Sequence, residues 1–500
     1  MRSLLGFGHR NQGETTRLTC ERVSPGAVTT CPCCGPAAQA AFARVSSDLN
    51  RRLFLGGVGA MLASFAVPRE ASALTEQPAA PDRPVLLTNL RLFNGLEQRV
   101  REGVSILVNG NRIEALPDAS ETVSDARVVD CGGRLAMPGL IDAHWHSTLC
   151  GITQIEAMTA DVGYVHLVAA REAERTLMRG FTTVRDASGP AFALKQAIDR
   201  GIVNGPRIYP SGAMISQTSG HGDFRMRYEV PRGETTPLSH FEIVGAAVIG
   251  DGVPEVLRRV REQLMLGATQ IKLAGGGGVA SAYDPLDSIQ YREEELRAAV
   301  QAAEDWGTYV MIHTYTPVAI QRAIRAGVKS IEHGQLADEE TVKMMADEGI
   351  WWSLQPFLAD EDANVHADPK ARLLQEEVAR GTVRAYELSK KYNVKTAWGT
   401  DILFSPRSLP NHARQLAKLA PRFYEPLEIL SIATGINGEL VGLSGPRNPY
   451  DGAVGVIAPG TLADILVADG DPEKSLDFLT DPEQNLRLIM KDGRIYKDTL

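Results

Sequence analysis

Two histidines one residue apart, His144 and His146, close the stretch Met137–His146 (MPGLIDAHWH). Pro138-Gly139 breaks the backbone just ahead of a short apolar run, which reads as a strand delivering both histidines at its C-terminal tip. Side chains alternate faces along a strand, so the two imidazoles share one side while Trp145 takes the other. Two imidazoles on one face can hold one metal ion. A lone His-x-His could equally be a pair of polar residues at a barrel mouth, but this pair has company. Lys272 in TQIKLAGGGG, His313 in YVMIHTYT, His333 in KSIEHGQ and Asp401 in TAWGTDI each end a β-like run.

The elements that must position these residues follow from the pattern around them. Strand candidates are LIDAHWH, FTTVRDAS, PRIYPSGA, TQIKLAGG, TYVMIH, KSIEH, WWSLQP and KTAWGTD, with helical stretches such as 256–265, 292–306 and 370–391 between them. Strands alternating with helices over short connections argue for a parallel sheet with crossover helices. In an eight-stranded α/β barrel, residues at the strand C-termini converge on one pocket. Residues 82–137 and 450–500 instead alternate in β fashion, with Asn109-Gly110 as a hairpin signal. The simplest arrangement is a catalytic (β/α)8 barrel over 138–449 and one small discontinuous β-sandwich built from 82–137 and 450–500. Two connections are long, 214–237 and 275–291, and loops of that length at a barrel mouth serve as lids or substrate walls.

This ordered set resembles the amidohydrolase superfamily, in its branch where a carboxylated lysine bridges two divalent metals, and the resemblance spans nearly all of the chain after residue 73. It implies the same barrel and the same discontinuous β domain. His144, His146 and Asp401 then suit one ion and His313 and His333 a second, and imidazole with carboxylate fits zinc better than calcium or magnesium. A free amine on Lys272 would be cationic at its ordinary pKa and a poor bridge. The resemblance implies its carboxylation into an anionic two-oxygen ligand. A hydroxide bridging two ions is a nucleophile at neutral pH, and Asp401 could accept its proton and pass it to a leaving amine.

Tyr315 lies two places after His313 and could donate to a carbonyl oxygen as negative charge develops there. His221, in TSGHGD, sits in the loop after the third strand. Both positions resemble those of metal-dependent Xaa-Pro dipeptidases and related carboxypeptidase-like amidohydrolases. Arg225 and Arg227 follow close behind and could pair with a substrate carboxylate through a planar fork. The expected activity is hydrolysis of an amide bond in a dipeptide or an N-acyl amino acid. The alternatives are a cyclic amide of the imidazolone type, a lactone or a phosphotriester, and, outside enzymes, metal or solute binding. His166, His240, His366, His412 and His9 read as ordinary histidines, and Asp186 as a structural cap. Gly275–Gly278 lacks the lysine and hydroxyl of a P-loop.

Composition bounds the partners. The chain has 500 residues, 44% of them hydrophobic, and a net charge of -9. It has no long basic run, which argues against nucleic acid, and no apolar stretch long enough for an internal membrane span. The partner is therefore a small molecule, with a homo-oligomer compatible. Arg51-Arg52, a weakly apolar run to Val67 and Ala71-Ser72-Ala73 resemble a twin-arginine export signal. Cleavage after Ala73 would make the mature enzyme periplasmic or secreted. Residues 1–49 precede that signal. Their Cys20, Cys31, Cys33 and Cys34 have spacings that thiolate zinc sites use, although a start codon assigned too far upstream is the better reading. Only Cys131 and Cys150 remain beyond, too few for a disulfide framework.

Overall fold

All eight expected strands are present, each short, seven of them fully buried and the last buried in its C-terminal half. The structure, a computed structural model, describes residues 77–229, 236–279, 281, 283–365 and 368–500. The expected signal segment, the extension before it and His366 lie outside the described residues.

The strands of the α/β part are β5 (Leu140–Trp145), β6 (Phe181–Asp186), β7 (Arg207–Tyr209), β8 (Met214–Ser216), β9 (Ala247–Ile249), β10 (Ile271–Ala274), β11 (Val310–Thr314), β12 (Ser330–His333), β13 (Trp351–Leu354) and β14 (Lys395–Trp398). All pairings among them are parallel, in two sheets ordered β5-β6-β7 and β14-β13-β12-β11-β10-β8-β9. The sheets approach each other at both ends. The Asp401 amide, just past β14, donates to the His144 carbonyl of β5 (2.9 Å), and the Thr269 amide donates to Pro210 after β7 (2.8 Å). Gln270 adds a side-chain bond to the Tyr209 carbonyl (2.8 Å). The arrangement is a TIM-barrel-like α/β fold, and because every strand runs the same way, the strand C-termini gather at one end.

Helices cross between the strands as expected, with ends shifted by a few residues: Gly252–Leu266, Glu293–Glu304 and Pro369–Lys391. The first and the last illustrate why they stop and start where they do. Gly267 closes the first in the left-handed conformation (φ 103°), which glycine adopts without steric cost, and Asp368 caps the last through the Ala371 amide with Pro369 in its first turn. Their apolar faces pack on the outside of the strands, with Val256, Val260, Leu264, Leu296 and Tyr386 in one core with Ile271, Ile312, Ile331 and Trp352.

The two β-rich chain ends join in one sheet. Its strands are β1 (Val85–Leu92), β2 (Ile106–Asn109), β3 (Arg112–Ala115), β4 (Arg127–Pro138), β15 (Ile465–Ala468), β16 (Leu486–Lys491) and β17 (Arg494–Asp498), in the order β17-β16-β15-β4-β1-β2-β3. Period-two alternation divides its residues between two cores. Ala136, Ile465, Val467 and Leu488 face a core of the sheet's own, whereas Leu135, Met137, Leu466 and Ile489 face the main core. Arg112 of β3 also bridges to Leu462, next to the far half of the sheet. The hairpin turn is Gly110-Asn111, one residue later than the sequence signal, because Asn109 still pairs with Arg112.

Two expectations are corrected. The connection 214–237 begins as strand β8, and β9 was missed altogether; both are three residues long, too short for a periodic pattern to register.

Candidate active site

His144 is the last-but-one residue of β5 and His146 lies immediately past it, so the expected common face is realised. Trp145 turns to the opposite side and stacks on His412 (4.2 Å between ring centres, 2° between planes). The His144 Nδ1–H donates to Glu332 Oε2 (2.6 Å), which leaves Nε2 facing inward, 3.5 Å from Asp401 Oδ1. His146 Nδ1 lies 3.1 Å from the Ser188 carbonyl and its Nε2 2.9 Å from the same Asp401 oxygen. His333, ending β12, donates from Nδ1 to Gln355 Oε1 (2.7 Å). His313, on β11, donates from Nε2 to the Gly277 carbonyl (3.1 Å) and packs edge-on against His333 at 4.4 Å. His144, His313 and His333 thus each have one nitrogen tied to the protein by a hydrogen bond, and His146 has both its nitrogens near a protein oxygen.

Burial decides their protonation. Desolvation, helped by the Lys272 charge, holds His144 down at about 4. Burial and the Lys272 charge likewise hold His313 and His333 well below the usual range. All three are neutral at pH 7, and a neutral imidazole with one nitrogen occupied offers a lone pair on the other. Asp401 is ionised. Burial pushes its carboxyl up, but His144, His146 and His333 together outweigh that and hold it below the usual carboxylate range. Both His333 (φ 71°) and Asp401 (φ 54°) sit in the left-handed backbone region, a strained conformation that recurs at functional sites.

Lys272, on β10, is 2% exposed. Burial draws its ammonium down to about 8 against the pull of Glu332 and Asp401, so an uncharged, nucleophilic amine is within reach at neutral pH. One ligand atom each from His144, His333 and Asp401 lie within 4.8 Å of one another. Neutral imidazoles aimed inward, one anionic carboxylate and a lysine of low basicity form a donor set that fits a divalent ion of the zinc type.

The six expected ligands, His144, His146, Lys272, His313, His333 and Asp401, line one inner compartment of about 50 Å³. Beside it, sharing His221, His313 and Asp401 as well as Phe224, Leu403 and Phe404, opens a cavity of about 340 Å³. Tyr315 lines that cavity, buried and stacked on His333 (5.2 Å, 13°). Burial, with Asp401 nearby, keeps its phenol protonated well past neutrality. His221 stacks face to face on His313 (3.7 Å, 13°), and its Nδ1 is 2.6 Å from Ser281 Oγ. Burial and the Lys272 charge hold it at about 4.

Arg225 and Arg227 are not brought to either compartment. The Arg225 fork is taken by its own neighbour Asp223, with Nε and Nη2 at 2.8 and 2.6 Å from the two carboxylate oxygens. Arg227 is exposed, over the Tyr283 ring. Asp186 is the cap that was expected, accepting from the Ser147 amide (2.7 Å).

The sequence reading missed the residues behind the ligands. Glu332 is fully buried between His144 and Arg185, whose Nη2 reaches both its oxygens at 2.7 and 2.8 Å, while Ser330 Oγ donates to it at 2.6 Å. Burial raises its carboxyl, but Arg185 and His144 more than reverse that. Asp142 accepts from the His144 and Thr400 amides and shares a 2.9 Å bond with His412, which is fully buried rather than an ordinary loop histidine. A signal existed for Glu332 and Asp142: each is a carboxylate inside a short strand-like run, where a buried charge needs a partner.

Residues 135–496 match the family model described as Amidohydrolase family. The chain is 31% identical over 382 residues to Ochratoxinase of Aspergillus niger, covering 72% of this chain and 75% of the relative. It is 25% identical over 388 residues to Imidazolonepropionase of Deinococcus radiodurans, covering 75% and 88%. A crystal structure of a prolidase complexed with N-methylphosphonate-L-proline superposes with a TM-score of 0.76 at 34% identity, covering 83% of this chain and all of that one. With its histidines and Asp401 at or just past the C-terminal ends of parallel strands and that match over most of its length, the chain belongs to the amidohydrolase family.

Proposed function

We propose that the protein is a metal-dependent hydrolase of an amide bond in N-acyl amino acids or dipeptides. The observation that carries the reading is the convergence of neutral, oriented imidazoles, an anionic carboxylate and a lysine of lowered basicity on one small compartment that opens into a substrate-sized cavity. The relatives named ochratoxinase and prolidase support it. His144, His146 and Asp401 would hold one divalent ion and His313 and His333 another, most simply zinc, with Lys272 carboxylated between them. Bound ions of this kind lower the pKa of water and polarise a carbonyl.

The chain's own groups supply the rest. Asp401, anionic at the junction of the two compartments, accepts the proton of the attacking water and returns it to the departing amine. Tyr315 keeps its proton and donates to the oxygen on which negative charge develops. His221, neutral and stacked on His313, contacts the substrate from the loop after β8. Glu332 and Arg185 keep the His144 ring in one orientation, as a carboxylate behind a ligating histidine does. Hydrolysis of a cyclic amide is the second reading, favoured by the similarity to imidazolonepropionase.

The architecture goes with this reading. We take the two parallel sheets as a closed (β/α)8 barrel over 138–449 and the curled terminal sheet as a small composite β-sandwich from 82–137 and 450–500. Arg51-Arg52 and the Ala71-Ser72-Ala73 pattern belong to a signal for export to the periplasm or beyond. Metal analysis tests the core of the proposal: the purified protein should hold about two divalent ions, one for each ligand group. Lys272→Ala should lose metal and amide hydrolysis together, with bicarbonate speeding reloading of the metal-stripped wild type. A Lys272→Ala protein with full metal and full turnover would overturn the lysine bridge.

A further inference from the structure

His412 offers no atom to the ligand cluster, yet it grips the chain on both sides of His144. It follows the short helical turn Pro406–Asn411 and is completely buried. Its ring lies between two others, parallel to Trp145 within 2° at 4.2 Å and to Phe181 within 4° at 3.6 Å. Phe181 stacks in turn on Trp398 (6.1 Å, 18°). The four rings join the end of β5, the start of β6 and the end of β14, and β5 and β14 are the strands whose tips lead to His144 and Asp401.

Phenylalanine would serve for stacking alone. What histidine adds is an N–H. Burial holds the imidazole neutral, so it carries one ring proton, and only Nε2 has an acceptor, Asp142 Oδ2 at 2.9 Å. Nδ1 is buried with no partner among the described residues. The proton therefore sits on Nε2, and the ring forgoes one hydrogen bond, at a cost in free energy, while making the other.

Asp142 is itself completely buried, and among the described residues its only ion-pair partner is His412. Hydrogen bonds hold it instead: from the His144 amide to Oδ1 (2.9 Å), from the Thr400 hydroxyl to Oδ2 (2.7 Å), from the Thr400 amide (3.3 Å) and from His412. The carboxylate cannot turn without breaking a bond at each oxygen. It ties the tip of β5 to the residue before Asp401, directly behind the point where His144 Nε2 and Asp401 Oδ1 lie 3.5 Å apart. A donor clamped between two rings cannot swing to follow a displaced carboxylate, so this bond fixes where the tie sits.

We propose that His412 is a positioning residue for the metal-binding pair His144 and Asp401: by donating to Asp142 from inside the aromatic stack, it sets the spacing of the two side chains and with it the affinity of the ion they share. The inference rests on the metal-hydrolase reading and adds to it a residue behind the ligands on the side opposite Glu332 and Arg185, which hold the His144 ring where His412 holds its backbone.

The test is release of zinc from the zinc-loaded full chain to a competing chelator, followed by metal analysis. His412→Phe keeps a ring in the stack and removes the donor. One of the two ions should then leave at about 10- to 100-fold lower chelator concentration, the scale for losing a group behind a metal ligand, while the other is held as in the wild type. His412→Gln loses the stack but keeps an N–H near the place of Nε2, and should retain both ions at close to wild-type affinity. Asp142→Asn should weaken the same ion as His412→Phe, and the double variant should be no worse than the worse of the two, because both act through one carboxylate. A packing role alone would lower the unfolding temperature of the metal-free protein, most in His412→Gln, and leave zinc affinity unchanged in His412→Phe; that result overturns the proposal, as does additivity in the double variant. Should His412→Phe fail to fold, His412→Gln decides: both ions held, beside an Asp142→Asn that has lost one, supports the proposal, and an ion lost from folded His412→Gln overturns it. A wild type that binds no zinc overturns the metal-hydrolase reading and this inference together, whereas a wild type with two ions and an unaffected His412→Phe overturns this inference alone.

Discussion

Tyr315 lines the substrate cavity with its phenol protonated, and its hydroxyl takes no protein partner among the described residues. A buried donor left free for a ligand is what stabilisation of a developing oxyanion requires. Tyr315→Phe should therefore lower turnover by roughly 100-fold, near 3 kcal/mol, with metal content at the wild-type level because the phenol is not a ligand. Asp401→Asn removes the proton acceptor, and turnover should fall by about 100-fold or more, with some metal lost as well; steady-state kinetics and metal analysis on both variants would show the two patterns. At this scale the ligand-type residues were legible, since six side chains named from the sequence line one compartment. Arg225 was not legible as an internal ion pair, because Asp223 two residues away gives no sign in the sequence that it will turn back on its neighbour. Glu332 and Asp142 were overlooked because attention went to residues that can ligate and passed over those that orient ligands.

The strands that carry the site meet closely enough for single atoms to matter. Gly399 lies between β14 and Asp401, and a Cβ there would come within 2.4 Å of the His144 backbone nitrogen and 2.5 Å of its Cβ. Rotamer changes cannot relieve a clash with backbone, so Gly399→Ala must push β5 and β14 apart. The expected loss is about 1–3 kcal/mol of unfolding free energy, read from denaturant titration, together with weakened metal retention as the Asp401–His144 backbone bond opens. A variant with normal stability and metal content would mean that this seam is looser than its geometry. Fully buried strands such as those carrying His144 and His313 stand out in the sequence because burial on both faces demands largely hydrophobic runs. β8 and β9 do not. They are three residues each, and tertiary pairing, of β8 with β10 and of β9 with β8, rather than local pattern makes them strands.

Across the whole molecule, family membership rests on a match from residue 135 to 496, while the proposed route out of the cytoplasm rests on residues 50–73 alone. Replacing Arg51 and Arg52 by lysines keeps the charge but alters a pair that a receptor reads. Unprocessed precursor should then accumulate in the cytoplasm, visible by fractionation; normal processing would refute the twin-arginine assignment. The joining of both chain ends in one sheet was readable from their shared alternation. The division of that sheet between two cores was not, because alternation reports that two faces differ without saying what covers each.

That shared sheet also governs timing. Pro138 at the end of β4 pairs with Ile465 at the start of β15, so the strand leading into His144 gains one of its neighbours only after nearly the whole polypeptide has been synthesised. At roughly 5–20 residues per second, β4 emerges from the ribosome on the order of half a minute before that partner exists. Until then its unpaired edge and the apolar residues beneath it are open to wrong neighbours, including the same strand of another nascent chain. Under the export reading proposed above, the leader is exposed first and what it carries is finished last, so folding before transport would require that the newborn chain be shielded, and its departure delayed, until the final strands have been made.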